Sequence, residues 1–562
     1  MKRPRLLIEE WLPAAAIGVE CMREEGSLSA KPPTKYFHVW WARRPITASR
    51  AAVLGSVLPH DFSREIFERI LGFARPGHEL VKIRQQMDTG KKVEGGFACD
   101  RAFKRGMRED DVRRAHEAAE KLFGRPVTVI DPMAGGGSIP LESARLGFKT
   151  IANEYNPIAC SILEATVDYP FRFGEELLAE TRRWASEWLS RTEKRLAVYY
   201  PKRTDGLVHS YIFTRTVPCP DTMFDTPLVP DWHLLKPKGS THRIWAEPTV
   251  DKKAGTWSVR FVETTRTGKD AEPARPTYND GKGISLFTQL QISPDYINAK
   301  AQAGEMRYSL YAIAVNTPTG LAFHQPSDAD RVALSSAEQE LSRLNHQLEQ
   351  DGIMPDEEVR PGDKTRELLT KGMRRWRDLF TPRQLLCNCI FVEELKKLRK
   401  GVVAEHGVEL GEAILHLLSL GFDKFINHNC SLTRWENTRG TIKGKMDRHD
   451  YAFKATFAEL AACSAGVGFQ WCIDNTLKAY GEICELAKTP KHSRVQPTLG
   501  TATDLPAIEN GSVEAVVVDP PYSDNVQYSE LADFFYVWLK RTQGHRRPEW
   551  FSSYLCDHTE EA

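Results

Sequence analysis

The stretch VTVIDPMAGGGSIPLESARLGFKTIANE, residues 127–154, decides the fold. It predicts a strand ending at Asp131, a turn with three successive glycines, a helix, and a second strand ending at Glu154. A strand–helix–strand unit of this kind implies a parallel sheet. Ligands of open parallel sheets bind at the carboxyl ends of the strands. We therefore expect Asp131 and Glu154 to lie at a binding edge.

The turn between these strands predicts a nucleoside site. Its glycines let a ligand approach the backbone closely, and Ser138 is expected to cap the following helix. The turn lacks the third glycine of a dinucleotide-binding fingerprint, and an acid precedes it instead. A carboxylate at Glu154 can hold both hydroxyls of a ribose. The pattern thus favours a nucleoside cofactor other than a dinucleotide.

A second stretch, VEAVVVDPPY at residues 513–522, predicts a buried strand that ends in an acid, two prolines and a tyrosine. Proline restricts its own backbone and that of the preceding residue, so Asp519, Pro520 and Pro521 are held stiffly. The Asp519 carboxylate and the Pro520 carbonyl can accept both hydrogens of an exocyclic base amine. Tyr522 offers a face for stacking an extruded base. The alternative is a Pro-Pro turn after a core strand.

The rest of the chain suggests that the sheet is interrupted and resumed. β-forming residues dominate 208–330, helical periodicity dominates 334–490, and strand patterns return near 495. The predicted organisation is an N-terminal helical extension (1–125), the first half of an α/β domain (126–170), an insertion (171–490), and the second half (491–562).

Composition indicates an ordinary globular protein. The chain has 562 residues, 41% of them hydrophobic and 27% charged, with a net charge of +1 and a mean hydropathy of -0.43. Eleven cysteines without framework spacing favour reduced thiols and a cytoplasmic location. No apolar run is long enough for a membrane span. Any nucleic-acid binding therefore requires basic residues to be sorted onto one surface.

These motifs together look like those of a methyltransferase that uses S-adenosyl-L-methionine. VIDPMAGGGSIPLESARLG with NEYNP resembles the cofactor motif of adenine-specific DNA methyltransferases, and VVVDPPY resembles their catalytic motif. IEEWLP (8–13), HVWWARRP (38–45) and LFTPRQLL (379–386) resemble the domain of unknown function 1156, which precedes adenine methyltransferases in anti-phage gene clusters.

The resemblance implies a Rossmann-like methyltransferase sheet and a set of site residues. The implied catalytic residues are Asp519, Pro520, Pro521 and Tyr522. The implied cofactor-binding residues are Asp131, Pro132, Met133, Ala134, Gly135, Gly137, Glu154, Asn156 and Thr501, with His38 and Arg44 of HVWWARRP near the methionine end of the cofactor.

Three features depart from the family pattern. Thr501 stands where an acid often contacts the cofactor's adenine amine. The β-rich region keeps a single cysteine, Cys219, near the positions of the family's zinc-ribbon pairs, so we expect no metal. The residues after Tyr522 predict one helix and leave no room for the last three strands of a seven-stranded sheet. We therefore expect those strands to be missing and the resumed strand to lie at a sheet edge.

The predicted reaction is methyl transfer to N6 of adenine in double-stranded DNA, in phage defence or DNA modification. A cytosine N4 or an RNA guanine amine is an alternative acceptor. A non-catalytic subunit that binds cofactor or DNA within a defence complex is an alternative of another class. Basic residues mixed with aromatics at 101–110, 371–380 and 396–400 fit either phosphate contacts or solvated helix faces.

Overall fold

The computed structural model describes residues 5–26, 31–91, 93, 96–97, 99–266, 272–495, 497–521 and 526–559. Tyr522 lies outside the described residues, so its predicted stacking role stays a prediction. Within the described part the protein is mixed α/β, as predicted, with several sheets surrounded by helices. None of the described helices is long and apolar enough to cross a membrane.

The N-terminal region is helical. Its helices are α1 (Leu7–Glu10), α2 (Ala14–Glu25), α3 (Thr34–Phe37), α4 (Ile46–Val57), α5 (Arg64–Ile70), α6 (Gly77–Asp88) and α7 (Glu109–Phe123). Leu54, Phe67 and Leu80 are fully buried in one apolar cluster with Val129 and Ala515 of the parallel sheet. These helices are therefore packed on the sheet that carries the predicted site.

The strand–helix–strand unit predicted from residues 127–154 is present. The elements of this region are β1 (Thr128–Asp131), α8 (Ser138–Arg145), β2 (Lys149–Glu154), α9 (Pro157–Leu163), a π-helical turn (Glu164–Asp168), α10 (Tyr169–Arg172) and α11 (Gly174–Leu196). β1 pairs in parallel with β2, from Thr128 opposite Lys149 to Asp131 opposite Ala152. Both strands are almost wholly buried, as expected for the centre of a parallel sheet.

Antiparallel strands follow, as the β-rich pattern predicts. They are β3 (Leu207–Pro218), β4 (Asp225–Pro227), β5 (His233–Leu235), β6 (Arg243–Asp251), β7 (Thr256–Thr264), β8 (Tyr278–Asn279), β9 (Lys282–Ile284), β10 (Gln291–Ile292), β11 (Arg307–Thr317) and β12 (Gly320–His324), with helix α12 (Pro294–Gln302) between β10 and β11. β3 and β11 form the long central pair.

The predicted helical interval 334–490 is helical only in part. Its helices are α13 (Asp328–Gln350), α14 (Arg366–Thr370), α15 (Pro382–His428) and α16 (Phe469–Ala487), and its strands are β13 (Arg434–Glu436), β14 (Thr441–Lys443) and β15 (Thr456–Leu460). The prediction was wrong for β15, which completes the sheet by pairing antiparallel with β3. That pairing is long-range, so local periodicity does not reveal it.

Helix α15 forms the centre of the helical core. It changes direction at Gly407, which has a non-helical backbone conformation. Phe391 and Phe422 on α15 pack with the fully buried Trp188 of α11. Phe422 also contacts Trp538 at a centroid distance of 5.7 Å. Aromatic packing thus ties the insertion to the C-terminal helix.

The chain then returns to the parallel sheet. The last elements are β16 (Pro497–Leu499), β17 (Ala515–Val516) and α17 (Tyr528–Gln543). The sheet order is β16-β2-β1-β17, and each neighbouring pair is parallel. β17 lies at an edge of the four described strands, as expected, and Val516 is 64% exposed. The predicted strand 513–522 is therefore much shorter than its pattern suggests.

Candidate functional site

A cavity opens at the carboxyl ends of the parallel strands. Asp131 ends β1, Glu154 ends β2, and Asp519 follows β17, whose Ala515 and Val516 lie opposite Val129 and Ile130. The cavity has a volume of about 180 Å³. Its lining residues are Trp40, Ala42, Arg44, Asp131, Pro132, Met133, Ala134, Gly135, Gly136, Ser138, Ile139, Glu154, Tyr155, Asn156, Thr501, Ala502, Thr503, Asp519, Pro520, Pro521 and Tyr528.

Glu154 shapes the glycine turn. Its Oε2 accepts a hydrogen bond from the Gly135 backbone N–H at 2.6 Å, and its Oε1 accepts from the backbone N–H groups of Tyr155 and Asn156 at 2.9 and 3.0 Å. The carboxylate thus joins the turn after β1 to the turn after β2. Asn156 then caps α9 by accepting from Ile158 N–H at 3.0 Å.

Asp131 is a buried acid with few stabilising contacts. Its side chain accepts one hydrogen bond, from Met133 N–H at 3.1 Å, and the residue is 3% exposed. Burial raises the pKa of Asp131 to about 8, and the nearby carboxylates of Glu154 and Asp519 raise that pKa as well. Asp131 is therefore mostly protonated at neutral pH in this cavity. A positively charged ligand would favour its ionised form.

Strand β16, which pairs with β2 on the side away from β1, also leads to the cavity. Gly500 N–H donates to the Glu154 carbonyl at 3.0 Å, and Asn153 Nδ2 donates to the carbonyls of Pro132 and Gly500 at 3.2 and 2.8 Å. These bonds place Thr501 on the cavity wall, where its hydroxyl lies 2.9 Å from that of Thr503. Asn153 was not predicted, although it immediately precedes the predicted Glu154.

Asp519 is held by an arginine from the N-terminal region. Arg44 Nε donates to Asp519 Oδ2 in an ion pair, and both side chains are 35% exposed. Pro520 and Pro521 line the cavity beside this pair. Arg44 was predicted near the methionine end of a cofactor. The structure places it in the cavity but in contact with the predicted catalytic carboxylate.

Residues 40–44 form one wall of the cavity through Trp40, Ala42 and Arg44, and we call this segment the Trp40 wall. The Trp40 indole stacks on Tyr528 at a centroid distance of 5.4 Å and an interplanar angle of 18°. Arg43 donates to the Gly136 carbonyl at 2.7 Å. A Cβ on Gly135 would lie 2.8 Å from Trp40 Nε1, and one on Gly136 would lie 2.9 Å from Arg43 Cγ. The glycines therefore make room for this wall as well as for a ligand.

Three predicted positions differ from expectation. His38 does not line the cavity, because its ring contacts Asp423 Oδ2 and the Val39 carbonyl, each at 3.0 Å. Gly137 also faces away, since a Cβ there would meet Leu163 and Val167 in the core. Ser138 does not cap α8. The capping position is Gly137, and the Ser138 hydroxyl donates to the Arg44 carbonyl at 3.0 Å instead.

Sequence reasoning missed several cavity residues, above all Trp40 and Tyr528. The WW pair in HVWWARRP is a signal for Trp40, because two adjacent tryptophans outside a regular element suggest a special surface. Tyr528 carries no comparable signal, since YSELADFFYVWLKR predicts only a helix.

One group of potential metal ligands exists among the described residues, formed by Glu180, Glu405 and His406. His406 Nε2 already lies at hydrogen-bond distance from Trp184 Nε1 (3.1 Å) and from an Arg183 nitrogen (3.0 Å). Arg183 also donates to Glu180 at 2.8 Å. An arginine therefore supplies the positive charge of this cluster.

Comparison with known proteins supports the N-terminal resemblance. Residues 11–70 match a family described as "Protein of unknown function (DUF1156)". The predicted N-terminal domain is thereby confirmed over that range, which includes Trp40 and Arg44. No curated protein and no solved structure matches the chain.

Proposed function

We propose that this chain is a methyltransferase of Rossmann-like fold that transfers a methyl group from S-adenosyl-L-methionine to N6 of adenine in DNA. One observation carries the proposal. The acid-and-glycine turn after β1 and the Asp-Pro-Pro segment after β17, far apart in sequence, line one cavity at adjoining parallel strand ends. In open α/β sheets, ligands bind at that edge.

The residues present fit the proposed cofactor. Gly135 and Gly136 let a ligand approach the backbone, and Glu154 lies at the strand end suited to a ribose. The carboxylates of Glu154 and Asp519, together with Asp131 when it ionises, suit a cationic sulfonium. When bound, the cofactor supplies a methyl group on that sulfonium as the electrophile. At about 180 Å³ the described cavity is smaller than the roughly 300–1,000 Å³ of typical ligand sites.

The chain's own residues would then position the acceptor amine. The Asp519 carboxylate and the Pro520 carbonyl accept hydrogen bonds from its two hydrogens, which directs the nitrogen lone pair away from the base ring. Such acceptors are effective because they are fixed before the reaction. Arg44 both holds Asp519 in place and competes with the amine for it. We therefore expect Arg44 to share or release the carboxylate when the base enters.

The same ion pair favours a second candidate, a subunit that binds cofactor or DNA without catalysis. If Arg44 holds Asp519 permanently, the carboxylate is not available as an amine acceptor. Replacing Arg44 by alanine separates the candidates. If Arg44 alone blocks catalysis, the variant should show methyl transfer that the wild type lacks. A subunit that only binds should show no transfer in either form.

The decisive experiment incubates the protein with methyl-labelled cofactor and phage or plasmid DNA, digests the DNA to nucleosides and identifies the labelled product. Label in N6-methyl-2′-deoxyadenosine that disappears in Asp519→Ala supports the proposal. Label in another nucleoside would redirect it to that acceptor, and an RNA substrate run in parallel covers the guanine alternative. Cofactor binding without transfer to either polymer supports the second candidate.

A further inference from the structure

A second cavity lies on the other side of the Trp40 wall. It has a volume of about 1,030 Å³, and Trp40 lines both cavities. Its walls come from the region between α2 and α4, from Phe103 and Lys104, and from α16. Tyr36, Trp40 and Trp41 make its surface partly aromatic. The two cavities therefore adjoin at Trp40.

The charges of this second cavity are unequal. Its cationic residues are Lys31, Lys35, Arg43, Lys104 and Lys478, and its acidic residues are Glu25, Glu482 and Glu485.

Two of these acids are neutralised by a lysine, whereas Glu482 has only a neutral partner in the part of the chain that the structure describes and keeps its negative charge. Glu25 pairs with Lys35, Glu482 accepts from the Tyr36 hydroxyl, and Glu485 pairs with Lys488 at 2.7 Å. Among the described residues, the four other cations of the cavity form no ion pair with a carboxylate. The cavity thus has an excess of uncompensated positive charge.

Two buried nitrogens in this wall also have no acceptor within the described part of the chain. Arg43 donates only to the backbone carbonyls of Gly136 and His38, and its buried Nε has no partner. Trp41 Nε1 is likewise buried without one. Arg43 is partly buried and has no counter-ion in the described structure, and desolvation of its guanidinium lowers the pKa of Arg43 to about 9. An anion in the cavity would offset the cost of that desolvation.

Uncompensated cations beside aromatic side chains are typical of sites for the backbone of a nucleic-acid strand, and here Tyr36 and Trp41 are partly exposed. We propose that the second cavity binds the phosphodiester backbone of DNA next to the nucleotide whose base enters the candidate site across Trp40. This inference rests on the proposed function for the identity of that base. It assigns to the N-terminal region and α16 a direct role in holding the substrate.

The test compares two triple variants of the full chain. Lys31, Lys104 and Lys478 are changed together to glutamine in the cavity variant. Lys121, Lys149 and Lys194, exposed lysines that do not line the cavity, are changed together in the matched control. Fluorescence anisotropy with a labelled DNA duplex is measured between about 50 and 200 mM salt, a range over which phosphate contacts change affinity strongly. Thermal unfolding checks that both variants are folded.

The cavity variant should bind DNA at least about tenfold more weakly at low salt, and the slope of log K against log salt should fall by about 3, close to one unit for each lost phosphate contact. The control should match the wild type. Equal losses in the two variants would overturn the inference. Binding of inorganic phosphate by the wild type without binding of duplex or single-stranded DNA would also overturn it, since the cavity would then be a small-anion site.

Failure of this inference is distinguishable from failure of the proposed function. Wild-type protein that binds S-adenosyl-L-methionine but no DNA refutes the cavity assignment and leaves the cofactor site standing. Protein that binds DNA through the cavity lysines but transfers no methyl group supports the assignment and refutes the methyltransferase.

Discussion

The two cavities on either side of Trp40 have opposite character. The first contains the carboxyl groups of Asp131, Glu154 and Asp519, with Arg44 as a counter-ion. The second is larger and has cations in excess of its acids. The net charge of +1 conceals this sorting. The net charge of a whole chain therefore does not indicate its binding partners. The distribution of charge is more informative, since here the first cavity suits a small cation and the second suits a polyanion.

The separation of the cavities depends on how the Trp40 wall is anchored. Helix α4, which follows the wall directly, carries Arg50, whose Nε donates to Glu142 of α8. Both side chains are fully buried, and Arg145 also donates to Glu142. One carboxylate thus neutralises two buried arginines at the junction between the N-terminal helices and the parallel sheet.

The largest effect is expected when this junction is broken. Changing Glu142→Gln removes the shared negative charge and leaves two buried arginines uncompensated, so stability should fall by about 3–5 kcal/mol. Glu65→Gln is the control, because Glu65 is 85% exposed where it pairs with Arg69, and its loss should cost less than about 1 kcal/mol. Urea denaturation measures both. Similar small shifts in the two variants would show that the junction does not hold the wall.

Removing the acceptor in the acidic cavity is expected to abolish most of the reaction. Asp519→Ala should lower methyl transfer by about 10²–10³-fold, as for loss of one preorganised hydrogen-bonding group at a reacting centre. The dissociation constant for the cofactor should change much less. Asp504→Ala, an exposed acid in the loop after β16, is the control for charge removal. Retained transfer in Asp519→Ala would exclude Asp519 from the chemistry.

A pH titration should sharpen the contrast between the cavities. The pKa of Asp131 is raised from an ordinary value of 3.8 to about 8, so the folded protein holds a proton that the unfolded chain releases between these values. The contribution of Asp131 to the free energy of unfolding is largest below pH 4. It decreases as the pH rises towards 8, with a slope of up to about 1.4 kcal/mol per pH unit. Asp131→Asn should remove that slope. The free energy of unfolding of the variant, relative to the wild type, should therefore increase with pH. Parallel stability curves for the two proteins would contradict the burial of an uncompensated acid there.

The smallest effect tests the fit between the wall and the glycine turn. Gly135 and Gly90 both have positive φ, 49° and 76°, but only at Gly135 would a Cβ meet a neighbour, the Trp40 indole. Alanine should cost about 1–2 kcal/mol at either position because of the backbone conformation. Gly135→Ala should cost more than Gly90→Ala in thermal unfolding. Equal losses would mean that Trp40 does not press on the turn.

Sequence reasoning predicted the parts of the fold whose patterns are local. The unit at 127–154 combines buried strands, a glycine turn and an amphipathic helix, and each contributes its own signal. The segment at 513–522 was predicted as a strand, but among its described residues only Ala515 and Val516 form one. An edge strand pairs on one side, and here Val516 and Val518 are left exposed. Hydrophobic runs do not distinguish these two situations.

The remainder depends on contacts between distant residues. His38 was assigned to the cofactor because HVWWARRP resembles a family segment expected near the cofactor, yet its ring is held by Asp423 on α15. Strand β15 lies in an interval predicted to be helical. Its pairing with the distant strand β3 is not visible in local periodicity. The stacking of Trp40 on Tyr528 joins residues nearly the length of the chain apart. None of these contacts leaves a trace in periodicity or composition.

The central claim is that the cavity between the strand ends of β1 and β17 holds S-adenosyl-L-methionine. Ultraviolet cross-linking of the radiolabelled cofactor to the wild-type protein, followed by mass spectrometry of the labelled peptides, tests it most directly. The account predicts label on peptides that contain Pro132–Ala134 or Pro520–Pro521, competed by unlabelled cofactor. Label confined to peptides outside this cavity, or no competable label at all, would contradict it.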